Sequence, residues 1–347
     1  DVRQLARAVD VQIMQPVRAL AGDARHLLVS PDGELNLIPF EALVDEQGRF
    51  LVERYSITYL TTGRDLLRMR VSRESKSKPV VVADPLFGEP ETTQMGGVAQ
   101  ARLKPASVAE RRRSIIAAED LSGVYFAPLS GTAQEARVIQ SLFPEAQVLT
   151  GTQATKGALQ QLVAPRILHI ATHGFFLQDA NAETTQNTRG PATTSGQLHA
   201  FKIEEPLLRS GLALAGANLN QGGSGRKGIL TALEASNLNL WGTKLVTLSA
   251  CETGVGEVKN GEGVYGLRRA FFLAGTESLV MSLWPVSDRV TQEMMTAYYK
   301  GLKQGLGRGE ALRQAELAML KRKDRRHPFY WASFIQSGEW VNLEGRR

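Results

Sequence analysis

The chain has 347 residues, of which 43% are hydrophobic and 22% charged. That is enough to bury a sizeable core in one large domain or two small ones, and it excludes a chain that is disordered throughout. Lys and Arg number 41 against 35 Asp and Glu, a net charge of +6, and the single cysteine, Cys251, excludes an intrachain disulfide and a cysteine-rich zinc module.

Residues 3 to 21 read as a helix, with Val9, Ile13, Val17 and Leu20 at near-helical spacing and Pro16 expected to kink or split it. From His26 to Phe40 two apolar runs flank Pro31-Asp32-Gly33, a turn sequence, and a β-hairpin is the natural reading. A strand near Arg54 to Leu60 is expected to join that sheet. Pro79 to Asp84 is a continuous apolar run closed by an acid, which suits a strand buried on both faces of a parallel sheet. Residues 88 to 123 are weakly patterned and carry the basic triplet Arg111 to Arg113, read as a solvated helix face.

From residue 128 strands and helices alternate. Thr132 to Phe143 reads as a helix, Gln147 to Leu149 as a strand, and Thr155 as the cap of a helix running to Val163. Strands follow at Ile167 to Thr172, Leu245 to Ala250 and Ser278 to Trp284. Helices are expected near 230 to 238, 263 to 273, 288 to 303 and 308 to 321. Such alternation predicts a mostly parallel sheet covered on both sides. Residues 178 to 205, rich in Thr, Asn, Gly and Gln, lack any period and read as a lid, a processed linker or plain disorder.

No apolar run reaches the roughly 18 residues of a spanning helix. The N-terminus lacks the pattern of a signal peptide. A cytoplasmic location is the reading, and Asp1, with no Met before it, reads as the edge of a longer protein.

Two strand ends carry chemistry. His173-Gly174 closes the strand at 167 to 172, and Cys251-Glu252-Thr253-Gly254 closes the strand at 245 to 250. In open α/β sheets functional groups gather beyond the carboxyl ends of the strands. If these strands are adjacent and parallel, a thiol and an imidazole meet at one rim, the minimal cysteine-nucleophile arrangement. The backbone N–H groups of Gly174 and Cys251 are then candidates for an oxyanion hole. From the residues alone Cys251 stays open between a working thiol and a buried core side chain. His169 and His173 have a His-x-x-x-His spacing, but on a strand they lie about 13 Å apart. Zinc is therefore rejected, and His169 is read as a structural core histidine. The glycine patch at 222 to 228 lacks phosphate-loop spacing, and the basic run Lys321 to Arg326 lacks interleaved aromatics, so direct nucleic-acid binding is not expected.

His-Ile-Ala-Thr-His-Gly (169–174), Leu-Ser-Ala-Cys-Glu-Thr-Gly (248–254) and Gly-Glu-Gly-Val-Tyr-Gly-Leu-Arg-Arg-Ala-Phe-Phe-Leu-Ala-Gly (261–275) resemble the CHAT domain. So do Ser-Pro-Asp-Gly-Glu-Leu-Asn-Leu-Ile-Pro-Phe-Glu-Ala-Leu (30–43), Ser-Leu-Trp-Pro-Val-Ser-Asp (282–288) and His-Pro-Phe-Tyr-Trp-Ala-Ser-Phe (327–334). These are caspase-like, separase-related cysteine peptidases, often found after tetratricopeptide repeats. The resemblance spans about residues 12 to 342. It implies a three-layer α/β/α sandwich with a mostly parallel sheet and an N-terminal pseudo-protease-like supporting subdomain. The division it suggests is 1–22 as a helix ending an upstream repeat region, 23–125 as the supporting subdomain and 126–347 as the catalytic subdomain.

The resemblance also implies Cys251 as nucleophile and His173 as general acid/base, working as a dyad that needs no cofactor and no metal. Trp284, Asp288, Asp84 and Glu252 are the candidate lining of a pocket for the residue before the scissile bond. An acid there would select Arg or Lys, although Asp288 also reads as a cap of the helix it begins, and Glu252 as a loop-holding residue. The expected function is a regulated, latent cysteine endopeptidase that cleaves a protein substrate and is switched on by a partner acting through upstream repeats. The alternative is a catalytically silent interaction module on the same fold.

Overall fold

In the computed structural model the described residues are 1–71, 73–88, 125–176, 206–219, 228–250, 262–284 and 287–345. The expected excursion at 88 to 123, the aperiodic span at 178 to 205 and most of the glycine patch lie outside them.

The chain opens with α1 (Val2–Ala21), β1 (His26–Val29), β2 (Ser56–Tyr59), α2 (Asp65–Arg68) and β3 (Val80–Pro85). It continues through α3 (Ser130–Leu142), β4 (Gln147–Gly151), α4 (Lys156–Gln160), β5 (Ile167–Ala171) and β6 (Gly174–Phe176). Next come β7 (Ser210–Ala213), β8 (Ile229–Thr231), α5 (Ala232–Ala235), β9 (Leu245–Leu248) and α6 (Glu262–Leu273). The last elements are β10 (Ser278–Ser282), α7 (Asp288–Lys303), α8 (Arg308–Leu320), α9 (Pro328–Trp331) and β11 (Phe334–Gly338).

Eight strands form one sheet in the order β1-β2-β11-β10-β9-β5-β3-β4. Every neighbouring pair is parallel except β10 with β11. Five strands therefore run one way and β1, β2 and β11 the other. The strands alternate their side chains between two buried faces, as the period of two requires. Val80, Val82, Leu168, Ile170, Val246 and Leu248 enter the core shared with α6. Val81, Ala83, Ile167, Ala171, Leu245 and Val280 enter the opposite core, shared with α3, α7 and α8. The expected α/β/α layering follows from that alternation. A small antiparallel sheet, β6-β7-β8, stands beyond the end of β5.

His169 is a core residue, as expected. Its Nε2 lies 3.0 Å from Glu135 Oε1 of α3, and its Nδ1 3.0 Å from Tyr299 Oη of α7. The Tyr299 hydroxyl in turn donates to Thr247 Oγ1 at 3.1 Å. This chain of polar groups fastens α3 and α7 to the middle of the sheet, where every member needs a partner.

The N-terminal third departs from the sequence reading in three places. No hairpin forms: β1 pairs in parallel with β2, and residues Gly33–Leu37 make a 3-10 turn. The turn chemistry itself is as read, with Asp32 Oδ1 accepting from Gly33 N–H at 2.8 Å and Gly33 at φ 54°. The second apolar run is instead spent on packing, with Phe40 and Leu43 in the core. Pro16 does not split α1, because Pro16 and Gln12, whose carbonyl loses its donor, both face solvent. The buried face of α1 carries Asp10, Met14 and Arg18; of the apolar stripe Val9 and Ile13 pack against the core, whereas Val17 and Leu20 face solvent, Leu20 at 90% exposure. Within α1 Asp10 accepts from Arg18 Nη1 at 2.5 Å and from Arg7 Nη1 at 2.6 Å, and Arg18 ties the helix to Glu46 Oε1 at 2.6 Å. β3 lies between β5 and β4 in the five-stranded half of the sheet.

Candidate active site

Strands β3, β5, β9 and β10 point their carboxyl ends at the same rim. At this rim β5 runs into Thr172 and His173. The Thr172 hydroxyl donates to the carbonyl of Ala213, and Ala213 N–H donates to the carbonyl of His173 at 2.9 Å. The backbone on both sides of the imidazole is thus pinned by β7.

His173 is 2% exposed. Its Nε2 lies 2.8 Å from the carbonyl oxygen of Ala127. A carbonyl only accepts, so Nε2 carries the proton and Nδ1 holds the basic lone pair of the neutral ring. Phe87 and Phe126 flank the imidazole, with ring centroids at 5.3 Å and 5.8 Å. Asn218 holds this aromatic wall together. Its N–H donates to the Phe87 carbonyl, its Oδ1 accepts from Phe126 N–H, and its Nδ2 donates to the carbonyls of Gly88 and Phe126.

Gly174 follows His173 and pairs with Leu212. Because Ala213 N–H donates to His173 O, this is the non-hydrogen-bonded kind of antiparallel pair, and the Gly174 N–H is not spent on β7.

Asp84, the penultimate residue of β3, has φ 48°, a left-handed conformation that costs an Asp about 1 kcal/mol or more. Its N–H donates to Thr132 Oγ1 at 2.9 Å, and that hydroxyl donates to the Leu129 carbonyl at 2.8 Å. Asp288 lies in the first turn of α7, half-buried, while Ser287 takes the N-cap position. A Cβ built on Gly131 would come within 2.8 Å of Asp288 Cβ and 3.1 Å of its Oδ2, so only glycine lets α7 close so tightly on the start of α3. The carboxylate then faces the positive end of α3. Segment 125 to 132 accordingly gathers three predicted residues around itself: His173 on Ala127, Asp84 on Thr132 and Asp288 on Gly131.

Trp284, at the exit of β10, donates its Nε1–H to the Phe329 carbonyl at 3.0 Å and packs on both cores. No described contact joins it to His173. Cys251 and Glu252 lie outside the described residues. The chain leading to them is well fixed: Ser249 N–H donates to the Ile170 carbonyl at 2.9 Å, and the Ala250 carbonyl accepts from Ser282 Oγ at 2.8 Å. α6 is anchored through Arg268, whose guanidinium donates to Asn36 Oδ1 in the 3-10 turn. Among the described residues no group of three His, Cys, Asp or Glu side chains is placed to hold a metal, and no helix is long and apolar enough to cross a membrane.

Phe87, Phe126 and Asn218 were not legible as site residues. They come from three loops far apart in sequence, and none carries a motif.

Residues 3–339 match the CHAT domain model. The chain is 28% identical over 325 residues to human tetratricopeptide repeat protein 28, and 26% identical to the mouse protein of that name. Each alignment covers 93% of this chain and 12% of the relative, so the chain spans about an eighth of the length of those proteins. Among solved structures, the Saccharomyces cerevisiae separase–securin complex aligns over 91% of this chain and 15% of that one, at 13% identity and a TM-score of 0.46. The Arg-specific cysteine proteinase gingipain R aligns over 98% and 67%, at 9% identity and 0.46.

Proposed function

The chain belongs to the CHAT domain family, and from that premise we propose that it is a cysteine endopeptidase using His173 and Cys251 as a dyad. One observation carries the reading: β5 and β9 are adjacent and parallel, with Ile170 opposite Leu248. In sequence His173 and Cys251 each come three residues after those partners, which supports reading them as a pair at one rim.

In this reading Nδ1 of His173 takes the thiol proton while Nε2–H stays on the Ala127 carbonyl. The Cys251 thiolate attacks the scissile carbonyl carbon, and the C=O π pair moves to the oxygen. The Gly174 N–H, unspent on β7, and the Cys251 N–H receive that oxyanion. Collapse breaks the C–N bond, and the imidazolium returns its proton to the leaving amine. Water then hydrolyses the thioester with His173 as base, which releases the acid and restores the thiol. The Phe87–Phe126 wall supports this role because a ring shielded from water holds one orientation.

Asp84 and Asp288, both half-buried beside segment 125 to 132, favour a substrate with Arg or Lys before the scissile bond. Glu252 and Trp284 complete the proposed lining. The substrate is a protein, and an activating partner acts through repeats upstream of the domain.

A peptide-library cleavage screen tests the proposal, with Cys251→Ala and His173→Ala as controls. Cleavage after basic residues that falls at least about 10³-fold in either variant, with an unchanged circular dichroism spectrum, is the expected result. Cleavage at the wild-type rate by either variant would overturn the dyad.

A further inference from the structure

The opposite end of the sheet holds a cavity of about 170 Å³, at the amino ends of β9 and β10. Five cations line it: Arg68, Arg70, Arg73, Lys244 and Arg308. Three acids, Asp65, Glu277 and Glu339, leave a surplus of two positive charges.

Each of those acids is already engaged. Asp65 Oδ2 accepts from the N–H groups of Thr61 and Thr62 at 2.7 and 3.1 Å. Glu339 Oε1 accepts from Trp340 N–H and Val341 N–H at 3.0 and 3.3 Å. Glu277 Oε1 accepts from Lys244 Nζ at 2.7 Å.

Lys244 also donates to the Arg73 carbonyl, and Arg73 stacks on the Trp241 ring at 3.3 Å, but two of the cations, Arg73 and Arg308, are left short of acceptors. Arg308 is fully buried, yet its four polar contacts, including Glu277 Oε2, all lie at 3.4 to 3.5 Å. Its Nε–H has no acceptor among the described residues, and neither has the buried Nε–H of Arg73. Arg308 is also the first residue of α8, where the positive end of the helix repels a cation. Burial lowers the pKa of both guanidinium groups below the usual arginine value, and Arg68 adds to the effect at Arg73. An arginine stays charged all the same. Two buried guanidinium N–H groups on one cavity, without acceptors, represent a desolvation cost that an anion would offset.

We propose that this cavity is a binding site for a small phosphomonoester, its phosphate seated among Arg73, Lys244 and Arg308. A phosphate monoester carries about −1.5 to −2 charge at neutral pH, which matches the surplus. The three donor side chains come from three separate elements, a convergence that suits a tetrahedral oxyanion. The apolar lining, including Met69 and Phe272, receives the organic part.

Isothermal titration of the chain with inorganic phosphate and with phenyl phosphate, at ionic strength matched with sodium chloride, tests the site. Saturable one-to-one binding is expected, tighter for phenyl phosphate. Arg73→Gln should weaken it at least about tenfold with an unchanged circular dichroism spectrum. Arg308→Gln should do the same; if that variant does not fold, Arg73→Gln decides alone. Absence of saturable binding for both probes, or wild-type affinity in Arg73→Gln, would overturn the proposal.

Discussion

The two ends of the sheet solve opposite problems. At the carboxyl rim His173 sits in a closed frame: one carbonyl for its Nε2, two aromatic rings, and backbone pinned on β7. Asn218 completes that frame with four hydrogen bonds of its own. At the amino end Arg308 is just as buried, but every one of its polar contacts is long. The difference separates a site built to hold one group in one orientation from a site that carries excess charge. Orientation is obtained from short neutral contacts, whereas unmet charge at a cavity points toward something bound.

That contrast is tested hardest at the rim. Replacing His173 by Ala should cost at least about 4 kcal/mol of transition-state stabilisation with the fold retained, read as kcat/KM by single-turnover cleavage. A milder break is Asn218→Ala, which leaves the frame loosened and the imidazole in place. It should lower kcat/KM by about 10- to 100-fold and destabilise by about 1–3 kcal/mol, read by cleavage assays and urea unfolding. An unchanged rate there would mean that the wall does not orient the ring.

A buried ionisable group with an unpartnered atom also occurs farther along α8. Glu316 lies fully buried with Oε1 unpartnered among the described residues, close to the buried Glu41. Burial pushes the Glu41 carboxyl up to about 7, and burial with Glu41 beside it holds Glu316 well above the usual carboxylate range. An acid whose folded pKa is raised keeps its proton in the folded state after the unfolded chain has lost it. Stability is therefore fully present below about pH 4.5 and falls as pH rises through 7, by on the order of 3 kcal/mol for Glu41. Glu316→Gln should flatten the slope of unfolding free energy between pH 5 and about 8 and raise stability at the upper end. An unaltered slope would contradict this.

The smallest effect is expected on α1. Because Leu20 faces solvent while Asp10 and Arg18 form a buried pair, Leu20→Ala should change stability by no more than about 0.5 kcal/mol, whereas Asp10→Ala should cost about 3 kcal/mol or more. Chemical unfolding of the two variants distinguishes these outcomes.

The five-stranded half of the sheet was readable because its strands are uninterrupted apolar runs between well-capped helices. Val80 to Ala83 and Ile167 to Ala171 admit few other structures. Thr155 capped its helix as read, through Ala158 N–H, and Asp32-Gly33 turned as read. What failed was partnership. Nothing local in His26 to Val29 indicates a parallel neighbour thirty residues on, and a turn sequence after it made a hairpin the natural inference. On α1 the apolar period was half used: Val9 and Ile13 pack on the core, Val17 and Leu20 face solvent, and the most buried positions go to Asp10, Met14 and Arg18. β11 and the β6-β7-β8 sheet were missed, since their strands are short and bordered by residues without a strong period. The histidine at the rim was legible from its place at a strand end. Its supporting residues were not, since Phe87, Phe126 and Asn218 meet only through the fold.

The central claim, that His173 activates Cys251, is open to one direct measurement. The chain has a single cysteine, so alkylation by iodoacetamide reports on Cys251 alone. The rate should be followed against pH in the wild type and in His173→Ala. An inflection clearly below the free-thiol value of about 8.5 is expected in the wild type, returning toward that value in the variant. Superimposable profiles for the two proteins would contradict it.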